Sequence, residues 1–181
     1  IQHDCGHQSF IKSRTWNNIL GFMCSMFSLI PYKYWARSHS MHHKHNGQLE
    51  HRDLGDITTL TVKEYLALSK RKRLEYRIYR SPISLFLIGP LYYVVLHNRL
   101  PILKFTKWDK TKFSLIGSSL AVIAFYVGLC MLLGWQQFFM VQIPILAGFA
   151  VTAIWFFYVQ HQHEEAYKEW VDNWDYLTAS I

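Results

Sequence analysis

LIGSSLAVIAFYVGLCMLLG (Leu115–Gly134) and FFMVQIPILAGFAVTAIWFFYV (Phe138–Val159) decide how this chain folds. The first is twenty residues without a formal charge. At a helical rise of about 1.5 Å per residue it crosses a hydrocarbon core of about 30 Å. The second is twenty-two residues long, and Pro144 and Gly148 within it are tolerated in a membrane helix. Gly134-Trp135-Gln136-Gln137 reads as a tight turn with an interfacial Trp, and Trp155, Phe156, Phe157 and Tyr158 form an aromatic belt at the far end. The pair predicts a transmembrane hairpin over about 115–159.

Working outward, no Lys, Arg, Asp or Glu occurs from Phe113 to His163, a run of 51 residues. Charged side chains at a bilayer centre cost roughly 2.5–3.5 kcal/mol each on insertion scales, so such a run suits a membrane. Of 19 basic residues, 18 precede this run, and the loop inside the hairpin has none. The positive-inside tendency therefore predicts that both ends of the hairpin face the cytoplasm. Two weaker apolar stretches, Ile19–Pro31 and Ile83–Leu96, are short for a span, and Gly89-Pro90 breaks the second. Both suit buried, re-entrant or interfacial segments.

The net charge of +7 is concentrated at Lys63–Arg80, where Lys63, Lys70-Arg71-Lys72-Arg73, Arg77 and Arg80 face only Glu64 and Glu75. Between membrane segments this reads as a patch against anionic lipid, not a nucleic-acid site. Cys5, Cys24 and Cys130 are scattered and odd in number, which supports neither a disulfide framework nor a zinc ribbon. The chain opens on Ile1 with no visible signal peptide, read as a truncation. The expected fold is all-α, an integral-membrane helical protein with histidine-bearing helices on the cytosolic side. One domain over 1–181 is expected.

Three of the histidine groups have spacing with chemical meaning. They are His3 and His7 (HxxxH), His39, His42 and His43 (HxxHH), and His161 with His163. Residues three and four apart share a helix face, so each of the first two groups can point imidazoles at one place. Neutral imidazole binds iron, zinc and copper. Two spans separate the first two groups from the third, so all three can lie on one side of a membrane. HExxH of the zinc proteases is absent, and six histidines exceed what one zinc needs. His51 and His97 read as packing or surface residues.

At these positions the sequence resembles the membrane fatty acid desaturases. His3-Asp4-Cys5-Gly6-His7-Gln8-Ser9-Phe10 resembles the first histidine box of the acyl-lipid, delta-12 and omega-3-like bacterial branch. Tyr34-Trp35-Ala36-Arg37-Ser38-His39-Ser40-Met41-His42-His43, with Asn46-Gly47 behind it, resembles the second. Phe157-Tyr158-Val159-Gln160-His161-Gln162 with Glu164, and Trp174-Asp175-Tyr176-Leu177, resemble segments after the last membrane helix of bacterial members. His163 stands where relatives often have Phe. The third HxxHH box of the family does not occur here, and the resemblance implies a domain over 1–181 that is incomplete at both ends.

The resemblance implies two iron ions, dioxygen as co-substrate, and an electron donor such as ferredoxin or a small haem protein. It implies an acyl-lipid substrate that gains a cis double bond. His3, His7, His39, His42 and His43 are then expected as iron ligands, and His161 as a further ligand or support. Asp4 or Glu164 is expected to orient a ligand imidazole. The alternatives are a histidine-box di-iron hydroxylase, or an inactive metal-binding membrane fragment. Residues 1–181 alone are expected not to desaturate a lipid, because the missing box withholds ligands. A metal transporter is disfavoured because the hairpin interior holds no histidine.

Overall fold

The computed structural model describes residues 1–54, 56–99 and 110–180. The expected single domain over 1–181 includes positions 55, 100–109 and 181, which lie outside the described residues. The described chain is helical. It has no strand, and the isolated bridge between Gln48 and Glu169 is parallel.

Short α1 (Gln2–Gly6) packs against α2 (Arg14–Ser28) and α3 (Tyr32–Lys44). Ser13 starts α2 by accepting a hydrogen bond from the Trp16 amide. Tyr32 then locks the three helices together. Its hydroxyl donates to the Cys5 carbonyl of α1 at 2.6 Å, and its amide donates to the Ser25 hydroxyl of α2 at 3.0 Å. Its ring lies so close to Gly21 that a Cβ there would fall 2.3 Å from it. At fifteen residues α2 is roughly 22 Å long and packs on α1, α3 and the first hairpin helix through a face that includes Asn17, Gly21 and Ser25, while Trp16, Met23 and Phe27 stay exposed.

A 3-10 turn at Leu49–His51 precedes α4 (Val62–Ala67) and α5 (Lys70–Tyr79). Thr61 and Glu64 form a capping box at the start of α4. The Ile83–Leu96 stretch folds as two π-helical turns, Ser84–Ile88 and Tyr92–His97, around a short α6 (Gly89–Leu91). Pro90 has no amide hydrogen to donate, and the Gly89 amide reaches five residues back to Ser84. Asn98 closes the second π turn by donating to the Tyr93 carbonyl. This segment lies along the second hairpin helix, with Phe86 edge-on to Tyr158 at 5.6 Å.

The hairpin consists of α7 (Lys110–Leu133) and α8 (Trp135–His161), which contain apolar spans of 21 and 27 residues. Only 17% and 11% of their apolar windows are buried in the protein. The core helix of a soluble protein would be mostly covered, so these surfaces are built for lipid. The turn is tighter than the four residues expected. Only Gly134 lies outside the helices, and Trp135–Gln137 begin α8. A φ of 82° at Gly134 lets the chain reverse there, a conformation that side-chain-bearing residues avoid. Both helices outrun their apolar stretches, because helical hydrogen bonding does not depend on apolarity. After α8 the chain returns across the 46–56 loop. The Trp174 indole donates to the Asn46 carbonyl, the Leu49 amide to the Glu169 carbonyl, and Lys168 pairs with Asp56 at 2.9 Å. It ends in α9 (Tyr176–Ser180).

Candidate metal centre

Five of the six candidate histidines come from α1 and α3, and the sixth ends α8. His3 and His7 lie one turn apart at α1, and His39 and His43 one turn apart on α3. The facing nitrogens of these four residues all lie within 4.8 Å of one another. His39 is central, with its Nε2 3.1 Å from His7 Nε2 and 3.0 Å from His43 Nε2. The indole of Trp35, one turn earlier, stacks on the His39 ring at 4.6 Å and 16° and fixes its plane.

His42 turns away from this group toward α8. Its Nε2 lies 2.9 Å from His161 Nε2. Each of these two rings also directs Nδ1 at a backbone carbonyl: His42 at Leu54 (3.2 Å) and His161 at Phe157 (2.8 Å). A carbonyl only accepts, so each Nδ1 carries the hydrogen and each Nε2 is left with its lone pair. Two lone pairs 2.9 Å apart repel unless a cation lies between them. Phe157 also stacks on His161, at 4.3 Å. The rings of His42 and His43, 5.8 Å apart, join the two groups.

The surroundings favour the neutral form of His7, His39, His42 and His43. Burial, then neighbouring His43, His3, His7 and His42, lowers His39 to about 3. Burial and His161 lower His42 to about 4, against opposing pulls from Asp56 and the Leu54 carbonyl. Burial likewise lowers His43 and His7. Neutral imidazole is the ligating form, so the site suits a metal in preference to protons.

Of the two carboxylates expected to orient a ligand, Asp4 lies beside His3, with Oδ1 3.2 Å from Nδ1. That hydrogen bond holds its carboxyl below the usual range. Glu164 is exposed in the turn after α8 and is not part of the histidine cluster. The carboxylate that acts on His42 is instead Asp56, which no spacing singled out. The backbone carbonyls of Leu54 and Phe157 likewise leave no mark in residue type. His163 is exposed beyond the cluster, and His45 faces His51.

A cavity of about 1430 Å³ is lined by His3, His39, His42, His43 and His161. Its other walls are mostly apolar, including Leu85, Ile88, Phe149 and Ile154. His97, read from sequence as packing or surface, stands in this wall, stacked on Tyr93.

The fatty acid desaturase family profile matches residues 1–180. Over 181 residues the chain is 41% identical to a fatty acid desaturase of Bacillus subtilis (strain 168), covering 51% of that protein. It is 26% identical over 193 aligned positions to the sn-1 acyl-lipid omega-3 desaturase (ferredoxin) of Synechocystis sp., again covering 51% of it. A Delta(12) fatty acid desaturase of Mortierella isabellina is 47% identical over 49 residues, which is 27% of this chain and 12% of the relative. The chain thus spans about half the length of the first two relatives. No solved structure matches it. Histidine groups at these spacings, a lipid-facing hairpin and a profile match over 1–180 agree: the chain belongs to the fatty acid desaturase family.

Proposed function

We propose that this chain is the histidine-bearing part of an oxygen-dependent acyl-lipid desaturase that places a cis double bond in a membrane lipid. The observation that carries this reading is the apolar cavity lined by five imidazoles of the cluster. An acyl chain is flexible and apolar, and a cavity of this lining removes it from water while holding it against the metal-binding groups.

The donor set fits two irons. His3, His7, His39 and His43 would hold one and His42 with His161 the other, each completed by ligands from elsewhere in the protein. When bound, the irons supply the oxidising power of dioxygen and two donated electrons, which removes a hydrogen from each of two adjacent methylenes. The chain itself supplies positioning. The Leu54 and Phe157 carbonyls set the tautomers of His42 and His161, Asp4 orients His3, and Trp35 holds the plane of His39. The apolar walls keep water from the reacting carbons. An even number of crossings and the charge asymmetry support a cytoplasmic face for all three histidine groups, where a ferredoxin or small haem protein would deliver electrons. The ferredoxin named for the Synechocystis relative supports that class of donor.

The test is metal content together with lipid product in the complete protein. His42→Ala and His43→Ala should each lower bound iron and abolish the new double bond in host lipids. His51→Ala should leave both near normal. Full iron occupancy in the His43 variant would defeat the assignment.

A further inference from the structure

The densest charge outside the histidine cluster lies on α4 and α5, and the fold arranges it in an unusual way. One face of α5 turns inward. The Tyr76 hydroxyl accepts from the Leu60 amide at 3.1 Å, and the Tyr79 hydroxyl accepts from the Thr58 amide at 3.0 Å. Arg73 also turns in, donating to the Leu68 and Leu66 carbonyls. The opposite face carries Leu74 and Ile78, one turn apart and 57% and 56% exposed. At ~100° per residue, Lys70 and Arg77 flank this apolar strip on one side and Arg71 on the other. On α4, Val62 and Leu66 are also one turn apart and exposed. Glu75 is the single acidic residue of α5 and pairs with Arg71 and Lys72.

The height of this face is set by its end. Arg80 donates to Gln162 Oε1 at 2.7 Å, and Thr59 donates to the same oxygen at 3.1 Å. Gln162 caps the C-terminal end of α8, just past the apolar stretch. Beyond Arg80 the chain enters the apolar 84–97 segment against α8. The α5 helix therefore ends at the level of the membrane surface, on the side of the histidine cluster.

We infer that α4 and α5 form an interfacial platform on the bilayer. Val62, Leu66, Leu74 and Ile78 enter the acyl boundary, and Lys70, Arg71 and Arg77 bind anionic phospholipid headgroups. An acidic soluble protein would meet the cations but leave four large apolar side chains in water. A buried contact with another protein segment would cover the apolar strip but strand its flanking cations. An anionic bilayer surface satisfies both at once. This rests on the membrane reading of the hairpin and not on the metal assignment.

The complete protein, with benzoylphenylalanine in place of Ile78, is reconstituted in nanodiscs of mixed phosphatidylcholine and phosphatidylglycerol. After illumination its adducts are identified by mass spectrometry. The same probe at Met131 of α7 serves as the bilayer reference. Lipid adducts are expected at both positions, with phosphatidylglycerol enriched severalfold over its bulk share at position 78 only. The K70Q/R71Q/R77Q variant should return that enrichment toward bulk. At position 78, adducts in the bulk lipid ratio, adducts to protein, or no adducts would overturn the platform. Lipid adducts at 131 show that the hairpin reading stands whatever position 78 reports, and their absence would mark that reading as the one that failed.

Discussion

Arg52 and Glu64 show how a single pair ties α4 to the loop before it. The guanidinium makes two parallel hydrogen bonds to the carboxylate, at 2.8 and 2.6 Å, and Thr61 adds a backbone amide. These bonds, Arg52 first, bring the Glu64 carboxyl down to about 2. Because the folded value lies below the unfolded one, the stability this pair contributes is fully present above about 4.5. It declines as the pH falls below that and is lost once the pH passes about 2. Glu64→Gln should therefore lower the unfolding temperature of the detergent-solubilised protein near neutrality and flatten its acid limb. A deficit that stays constant down to strong acid would mean that the pair is not the source. Glu64 is partly exposed, so solvent screening keeps the effect modest. Asp56, Leu54 and Phe157 act at the same scale on the histidines, and only the folded chain brings them there.

Gly21 governs how two elements meet. The Tyr32 ring occupies the space a Cβ at Gly21 would fill, so α3 packs its first ring directly on the α2 backbone. Gly21→Ala should destabilise the protein by about 1–3 kcal/mol or more, since a packed ring must move. Because α3 also carries His39, His42 and His43, the same variant should bind iron more weakly, although residue 21 lies outside the cluster. Thermal unfolding and metal titration read the two effects. Adding Tyr32→Leu should remove much of the clash, and the pair should then be less damaging than the sum of its parts. Strict additivity would show that the ring is not what Gly21 accommodates. The π turns around Pro90 belong to this scale too. Pro90 is plain in the sequence as a breaker, but its neighbours on α8 make the segment widen its turns without ending.

The whole molecule is organised by the hairpin. α7 and α8 reverse at Gly134, so Trp135 should face the side opposite His45 and Glu165. In a cysteine-free background, an impermeant thiol reagent applied to intact cells should modify Trp135→Cys. It should reach His45→Cys and Glu165→Cys only after the membrane is opened. Labelling of all three from one side would refute the hairpin. The arrangement also explains why the histidine groups can meet although two spans separate them in sequence: an even number of crossings returns the chain to its starting face.

The sequence by itself determined the spans and the helical pattern of the histidines. A bilayer excludes charge, so a charge-free run of 51 residues carries its own boundary conditions. Helical periodicity likewise settles which of His3, His7, His39 and His43 share a face before any packing is known. Only the tertiary structure decided that His42, adjacent to His43 in sequence, leaves that group for His161, 119 residues away. A rotation of ~100° per residue puts neighbours on different faces of α3. What each face meets depends on where α1 and α8 pack against it. The same long-range packing left Glu164 in solvent and brought Asp56 to His42, because a carboxylate's role is set by the charges and backbone dipoles around it and not by its place along the chain.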